Sequence, residues 1–264
     1  MELLKNVIIG QFVPGESVIH RLDARIKILL VFILMIALFL VKSVFGVIMY
    51  LLFVIAAVIA SKISFSYILR GLKSVFILVL ITVVFNIFFT TGDAVFKFYF
   101  ITITKQGLIL SFLMIFRIIM LVVLTSLLTL TTSSINLTDA LESLMSFLKP
   151  VKFPAHEVAM MMTIALRFVP ILLFQTEKIM KAQASRGVDF THGSLIKRAK
   201  SLIPVLVPLF IGAFKSAEEL ATAMEARCYQ TGVKRTKMRQ QKITSLDLIV
   251  FLIASAWVIL IILY

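Results

Sequence analysis

The chain is 264 residues long, 61% of them hydrophobic, and carries 27 Lys and Arg against 13 Asp and Glu. That apolar share stands well above the roughly 45–50% of soluble domains, which excludes an ordinary water-soluble globule and makes lipid the expected solvent. The basic residues sort by loop instead of gathering in one patch, so nucleic acid is not an expected partner, and the single Cys228 excludes an internal disulfide or a multi-cysteine metal centre.

No cleavable leader is expected in 1–23, which lacks an apolar core ahead of a small-residue cleavage site. Uncharged apolar runs follow at about 28–41, 43–60, 74–91, 118–138 and 248–264. A bilayer span takes about 20 such residues, within a range of roughly 17–25. The first run is short, but Lys27 and Lys42 flank it and can extend their amines to the interfaces, and Ser43 opens a tight hairpin into the second. Asn86 and Arg117 are the polar exceptions within spans. Arg117 is expected near mid-bilayer, where a charge is expensive, and a structural partner in a neighbouring span is favoured over a transport path. The connection 93–104, with Phe96, Phe98, Tyr99 and Phe100, reads as an aromatic belt or a re-entrant cap.

Two further stretches, 158–176 and 202–214, are apolar, but the first holds Arg167 and Pro170 and the second Pro204 and Pro208. Were both to cross, Lys178, Lys181, Arg186, Lys197, Arg198 and Lys200 would all lie outside, against the preference of positive charge for the cytoplasmic side. With neither crossing and the N-terminus inside, 23 of the 27 basic residues are inside, and only Lys42, Lys97 and Lys105 are outside. The expected fold is therefore an all-α polytopic membrane protein of the plasma membrane, with a cytoplasmic N-terminus and an external C-terminus. Four transmembrane helices occupy 1–130, a cytoplasmic module of long helices 131–245, and a fifth transmembrane helix 246–264.

Within the module, Thr138 is placed as the N-cap of a short helix that Pro150 ends. A helix from about Ala155 to Arg186 is expected to kink at Pro170, and another, from Ser194 to Arg227, to be perturbed near Pro204 and Pro208. Both begin apolar and end in charged, alanine-rich turns. Lys234, Arg235, Lys237, Arg239 and Lys242 then meet the anionic inner leaflet.

The two helix ends read Ala184-Ser185-Arg186-Gly187 and Glu225-Ala226-Arg227-Cys228. One arginine in a last turn is ordinary, since it opposes the helix dipole. Two of them, each on a slim tip of small residues, present guanidinium forks that can enter a groove and bind carboxylates or backbone carbonyls. His20 is expected to cap locally, and His156 and His192 lack metal-ligand spacing. Met160, Met161, Met162, Met180 and Met224 mark adaptable apolar surface. No phosphate-binding Gly-x-x-x-x-Gly-Lys-Ser/Thr loop is present, and the spans hold no acid except Asp247 at the start of the last. ATP hydrolysis in this chain and an intramembrane enzyme are both disfavoured, and no cofactor is expected. Spans made mostly of Leu, Ile, Val and Phe suit a scaffold better than a self-contained permease with its own polar pathway.

The N-terminal stretch Gly10-Gln11-Phe12-Val13-Pro14-Gly15-Glu16-Ser17-Val18-Ile19-His20-Arg21-Leu22-Asp23-Ala24-Arg25-Ile26-Lys27, the segment Ala165-Leu166-Arg167-Phe168-Val169-Pro170 and the two arginine tips together carry a resemblance. The chain resembles, over its whole length, the transmembrane T component of energy-coupling factor (ECF) transporters. Ala24 stands where that family usually has proline, Ser185 where it has alanine, and Cys228 where it has glycine, which leaves the capping of the second tip open. The resemblance implies a non-catalytic subunit of an ABC importer. Its implied partners are two cytoplasmic ABC ATPases and a small membrane-embedded subunit that captures a vitamin or metal ion. It implies ATPase docking by Ser185, Arg186, Gly187, Ala226, Arg227 and Cys228. The family's N-terminal motif maps onto Pro14, Gly15, Ser17, His20, Asp23, Arg25 and Lys27.

Overall fold

The computed structural model describes residues 12–41, 43–91, 93–98, 101–145, 154–190, 194–230 and 244–263. The chain divides into two compact units, one built from Gly10–Ala140 with Gln241–Tyr264, the other from Leu141–Gln240.

The first unit starts with a single helical turn, α1 (Val18–Arg21), and the long helices α2 (Ala24–Leu40), α3 (Val44–Ser61) and α4 (Phe65–Phe89). A short antiparallel hairpin, β1 (Ala94–Phe98) and β2 (Ile101–Thr104), leads into α5 (Lys105–Thr131) and the start of α6 (Ser134–Met145). The last helix, α10 (Ser245–Leu263), returns to this unit. Helices α2, α3, α5 and α10 meet around Leu34, Ala37, Leu38, Tyr50, Val54, Leu124, Val258 and Ile261. Tyr50 is fully enclosed and donates its hydroxyl to Leu34 O at 3.0 Å, while Trp257 donates its indole N–H to Met49 O at 3.3 Å. α4 packs mainly on α5 and leaves most of its surface exposed.

Lipid tails are as apolar as leucine, so burial from water does not hold such helices together; close packing and hydrogen bonds do. Glycines mark the tight approaches. A Cβ on Gly107 would come within 3.0 Å of Asn86 O, and one on Gly71 within 3.0 Å of Ser126 Oγ, so α4 and α5 touch at both ends through missing side chains.

The second unit contains the end of α6, then α7 (Ala155–Ser185), α8 (Leu195–Ser201) and α9 (Ile203–Ala226). Ser194 caps α8, accepting from Lys197 N, and the chain breaks at Leu202 before Pro204, so the expected second long helix is two helices. Pro170 and Pro208 are carried inside α7 and α9. These two helices pack on each other, with Gln175 Oε1 3.8 Å from where a Cβ on Gly212 would be.

The fold is all-α apart from the one hairpin, and five described helices are long and apolar enough to cross a membrane. They are α3, α4, α5, α7 and the α8–α9 stretch; α2 has 17 residues, and α10, with 19, is apolar along Ser245–Ile261. Length and apolarity thus admit α7 and the α8–α9 stretch, which the charge distribution keeps out of the bilayer. Several boundaries also move. α4 begins at Phe65, taking in Arg70, whose guanidinium lies 5.4 Å from the Tyr67 ring centroid. α5 begins at Lys105 and ends at Thr131, because Thr132 is extended. Thr138 is not an N-cap. It lies inside α6 and donates back to Ser134 O at 3.0 Å, while Ser133 Oγ accepts from Asn136 N. The expected aromatic belt rests on Tyr99, Phe100 and the side chains of Phe96 and Phe98, which lie outside the described residues, as do Lys42, Pro150, His192 and 234–242.

Candidate coupling tips and the N-terminal clasp

The N-terminal motif folds into a clasp on the end of the first helical unit. Ser17 caps α1, its Oγ accepting from His20 N at 3.3 Å and lying 2.6 Å from His20 Nδ1. His20 Nε2 is 3.0 Å from Val13 O. A carbonyl only accepts, so Nε2 donates to Val13 O, and in the neutral ring Nδ1 then accepts from the Ser17 hydroxyl. Gly15 gives the ring its room, since a Cβ there would sit 2.9 Å from His20 Cε1. His20 is thus a local brace, as expected, and Pro14 is exposed in the strap leading to it.

Asp23 then caps α2, Oδ1 accepting from Arg25 N at 2.8 Å. Its own N–H donates 2.8 Å to Asp247 Oδ1, and Asp247 Oδ2 accepts from Thr244 N at 2.7 Å, so the starts of α2 and α10 are tied by one carboxylate. Lys27 completes the clasp. Only 6% exposed, it donates to Thr131 O at 3.0 Å, to His20 O at 3.3 Å and to Thr132 Oγ1 at 3.4 Å. Val13 N adds a bond to Leu130 O at 3.0 Å. The last carbonyls of a helix lack internal partners and carry the negative end of its dipole, so a strap N–H and a buried ammonium suit the end of α5. Asp23 Oδ2 and Arg25 Nε are enclosed without a hydrogen bond, and the Arg25 guanidinium remains 4.0 Å from Asp23 Oδ1. A cleft of about 240 Å³ opens beside these groups.

Ala24 is the first helical residue of α2, the position where proline's fixed φ is pre-organised and its missing N–H costs nothing. The departure from the family's proline leaves the turn unaltered. Asp247 was not among the expected site residues. Its signal in the sequence is that it is the single acid opening an otherwise uncharged apolar run.

The two arginine tips lie in the second unit and have the same backbone. Arg186 ends α7 at φ −86° and ψ 5°, and Arg227 ends α9 at φ −92° and ψ 15°. Gly187 follows at φ +89° and Cys228 at φ +55°. Gly187 N donates to Ala184 O and Val188 N to Gln183 O; Cys228 N donates to Glu225 O and Tyr229 N to Met224 O. Each tip is therefore closed by the paired reverse bonds of a Schellman turn. Cys228 adopts the left-handed conformation that glycine ordinarily takes, and the open question of how the second tip is capped is answered. Ser185, Arg186, Gly187, Ala226, Arg227 and Cys228 are all exposed, and neither guanidinium has a hydrogen bond or ion pair among the described residues. From the contact of Gln175 with Gly212, α7 runs on for about 16 Å to Arg186 and α9 for about 22 Å to Arg227.

His156 Nδ1 pairs with Glu142 Oε1 at 3.0 Å, so this histidine is not isolated. Among the described residues no group of three His, Cys, Asp or Glu is placed to hold a metal ion.

The family model for CbiQ, described as a cobalt transport protein, matches residues 15–238. That match takes in both tips and the clasp residues from Ser17 to Lys27, with Thr131 and Thr132. The chain belongs to this family. Relatives named as the energy-coupling factor transporter transmembrane protein EcfT match along nearly all of it. The one from Clostridium kluyveri is 50% identical over 254 residues, covering 96% of this chain and 94% of its own. Those of Ruminiclostridium cellulolyticum and Bacillus subtilis are 47% identical over 261 residues and 44% identical over 246, with 98% and 93% of each chain covered. The chain is a multi-pass membrane protein of the CbiQ/EcfT type, the transmembrane component of an ECF-class ABC transporter and a non-catalytic subunit of it.

Proposed function

We propose that this subunit transmits the motion of two cytoplasmic ABC ATPases to a small membrane-embedded subunit that binds a vitamin or metal ion. Arg186 and Arg227 each dock in one ATPase, flanked by Ser185 and Gly187 in one tip and by Ala226 and Cys228 in the other. The observation that carries this reading is the equivalence of the tips. Two helices of different sequence end in the same turn, each presenting an unpaired guanidinium on small neighbours. In the proposed topology α2, α3, α4, α5 and α10 cross the bilayer with the N-terminus cytoplasmic and the C-terminus external, while α7 to α9 remain on the cytoplasmic side.

The polar side chains of the spans favour a scaffold over a self-contained permease. Thr82, Asn86, Thr125 and Thr129 bond back to carbonyls of their own helices, at Leu78, Thr82, Leu121 and Thr125. Among the described residues outside the clasp only the buried Ser111 Oγ is enclosed without a partner, which is no row of polar groups to line a path. The clasp then acts as the brace that keeps α2, α5 and α10 in register.

ATP-driven uptake by the reconstituted transporter, followed together with ATPase co-purification, tests the docking. Arg186→Ala or Arg227→Ala is expected to lower uptake roughly tenfold or more, because the partner's charge is left buried and unpaired, and the double variant to release the ATPases. Lysine at either place restores only part, since it keeps charge without the planar fork. Normal uptake by the double alanine variant would refute the docking role.

A further inference from the structure

We propose that Arg117, where it meets Phe39 and Val41 at the end of α2, forms a seat for the phosphate of a membrane lipid, in the leaflet opposite the Lys27 clasp. The inference rests on the reading that α2, α3 and α5 cross the bilayer.

Arg117 lies near the middle of the 27-residue α5. Its Nη2 is 3.4 Å from both Phe39 O and Val41 O, and its guanidinium carbon is 5.8 Å from the Phe39 ring centroid. It therefore covers the negative end of α2 with one nitrogen, through two long contacts. Nε and Nη1 bond to no described group, and neither is enclosed by protein.

The depth of this charge follows from two anchors. α2 and α5 run antiparallel, held by Lys27 on Thr131 at one end and by Arg117 on Val41 at the other. The anchors are fourteen residue steps apart on each helix, about 21 Å of rise, whereas the hydrocarbon core is about 30 Å thick. α5 continues from Arg117 to Lys105 for about 18 Å more, beside α4. The α2–α3 hairpin thus stops short of the α4–α5 pair, and Arg117 is at the step between them.

Among the described residues no carboxylate pairs with Arg117. The sequence holds no Asp or Glu between Asp23 and Asp93, between Asp93 and Asp139, or after Asp247. Asp93 is bonded to Gln106 at the far end of α5, and Asp23 and Asp247 are in the clasp. A guanidinium facing acyl chains with three N–H donors unused is strongly disfavoured. A lipid phosphate lowered onto the short hairpin supplies the anion, and its oxygens match the planar Nε/Nη1 edge.

The test uses the full-length chain in phosphatidylcholine nanodiscs doped with phosphatidylglycerol that carries a diazirine beside its glycerol. Crosslinks are mapped by peptide mass spectrometry. Wild type is expected to crosslink at 39–45, Arg117→Gln to lose roughly tenfold of that signal, as for a lost charged hydrogen bond, and Arg117→Lys to retain most of it. Equal crosslinking in wild type and Arg117→Gln, with the variant's thermal unfolding unchanged, would overturn the seat. If the crosslink vanishes when the chain is assembled with its partners, an acid of a partner is the counterion, and the proposal also fails. Ile36→Cys, exposed on the middle of α2, separates this from the topology: alkylation there by an impermeant maleimide in intact vesicles removes the span itself, while shielding there leaves the crosslink as the judge.

Discussion

A single residue in left-handed backbone distinguishes the two tips. Glycine adopts φ +89° at position 187 without strain, and nothing lies within 4 Å of where its Cβ would be, so Gly187→Ala costs conformational energy alone, about 1–2 kcal/mol. Cys228 already bears such a cost at φ +55°. Cys228→Gly is expected to relieve about 1 kcal/mol, and hydrogen exchange of the Tyr229 amide should then slow by roughly fivefold, with the Val188 amide in Gly187→Ala moving the other way. Unchanged exchange at both amides would mean that the turns do not hold the tips. At the other unit the decisive residue is Lys27. Its removal takes a cation from the neighbourhood of Asp23 and Asp247, 8% and 2% exposed, and leaves Thr131 O without its donor. Lys27→Met is expected to destabilise the unit by about 3–5 kcal/mol, the usual cost of stranding buried charge, read as loss of folded protein on heating in mild detergent. A variant that melts with wild type would reduce the clasp to an incidental contact.

Among the elements, α4 and α5 fit by shape, with one bond, Thr104 Oγ1 to Thr90 O at 2.9 Å, between their caps. Ser126 Oγ closes on Gly71, and the backbone of Asn86 on Gly107, at distances that leave no space for a methyl group. Gly107→Ala should therefore cost about 1–3 kcal/mol by overpacking, although alanine is the better helix former. Gly212 in α9 is the counter-case, for its nearest neighbour, Gln175 Oε1, is at ordinary contact distance, 3.8 Å. Gly212→Ala should stabilise by about 0.5–1 kcal/mol through helix propensity. Thermal unfolding of the two variants side by side decides the matter, since propensity alone would stabilise both.

For the whole molecule, the question is which apolar helices cross. α7 and the α8–α9 stretch also satisfy length and apolarity, at mean hydropathy 1.9 and 1.4 against 2.7 for α3, and the positive charge of their far ends argues that they stay on one side. With Cys228 replaced by serine, Ser185→Cys is expected to resist impermeant maleimide in sealed cells, and Tyr264→Cys to react. Labelling at position 185 from outside would reverse the orientation or put α7 through the bilayer.

What the residues determined by themselves is whatever depends on composition or on a short window. An apolar content of 61% settles the solvent, the order of the basic residues argues the topology, and an arginine before a glycine marks the end of α7. The expected helix starts failed where the deciding partner was a polar group with two local uses, as at Thr138, which bonds back inside α6 instead of capping it. The tertiary structure alone decided the long-range closures: Asp247 on Asp23 across 224 residues, Lys27 on Thr131 across 104, and Arg117 on the end of α2 across 76. Each of these joins a charge to the unfinished backbone of a helix end. In lipid such ends cannot turn to water, so the chain brings a distant side chain to each, and no local window of sequence contains both partners.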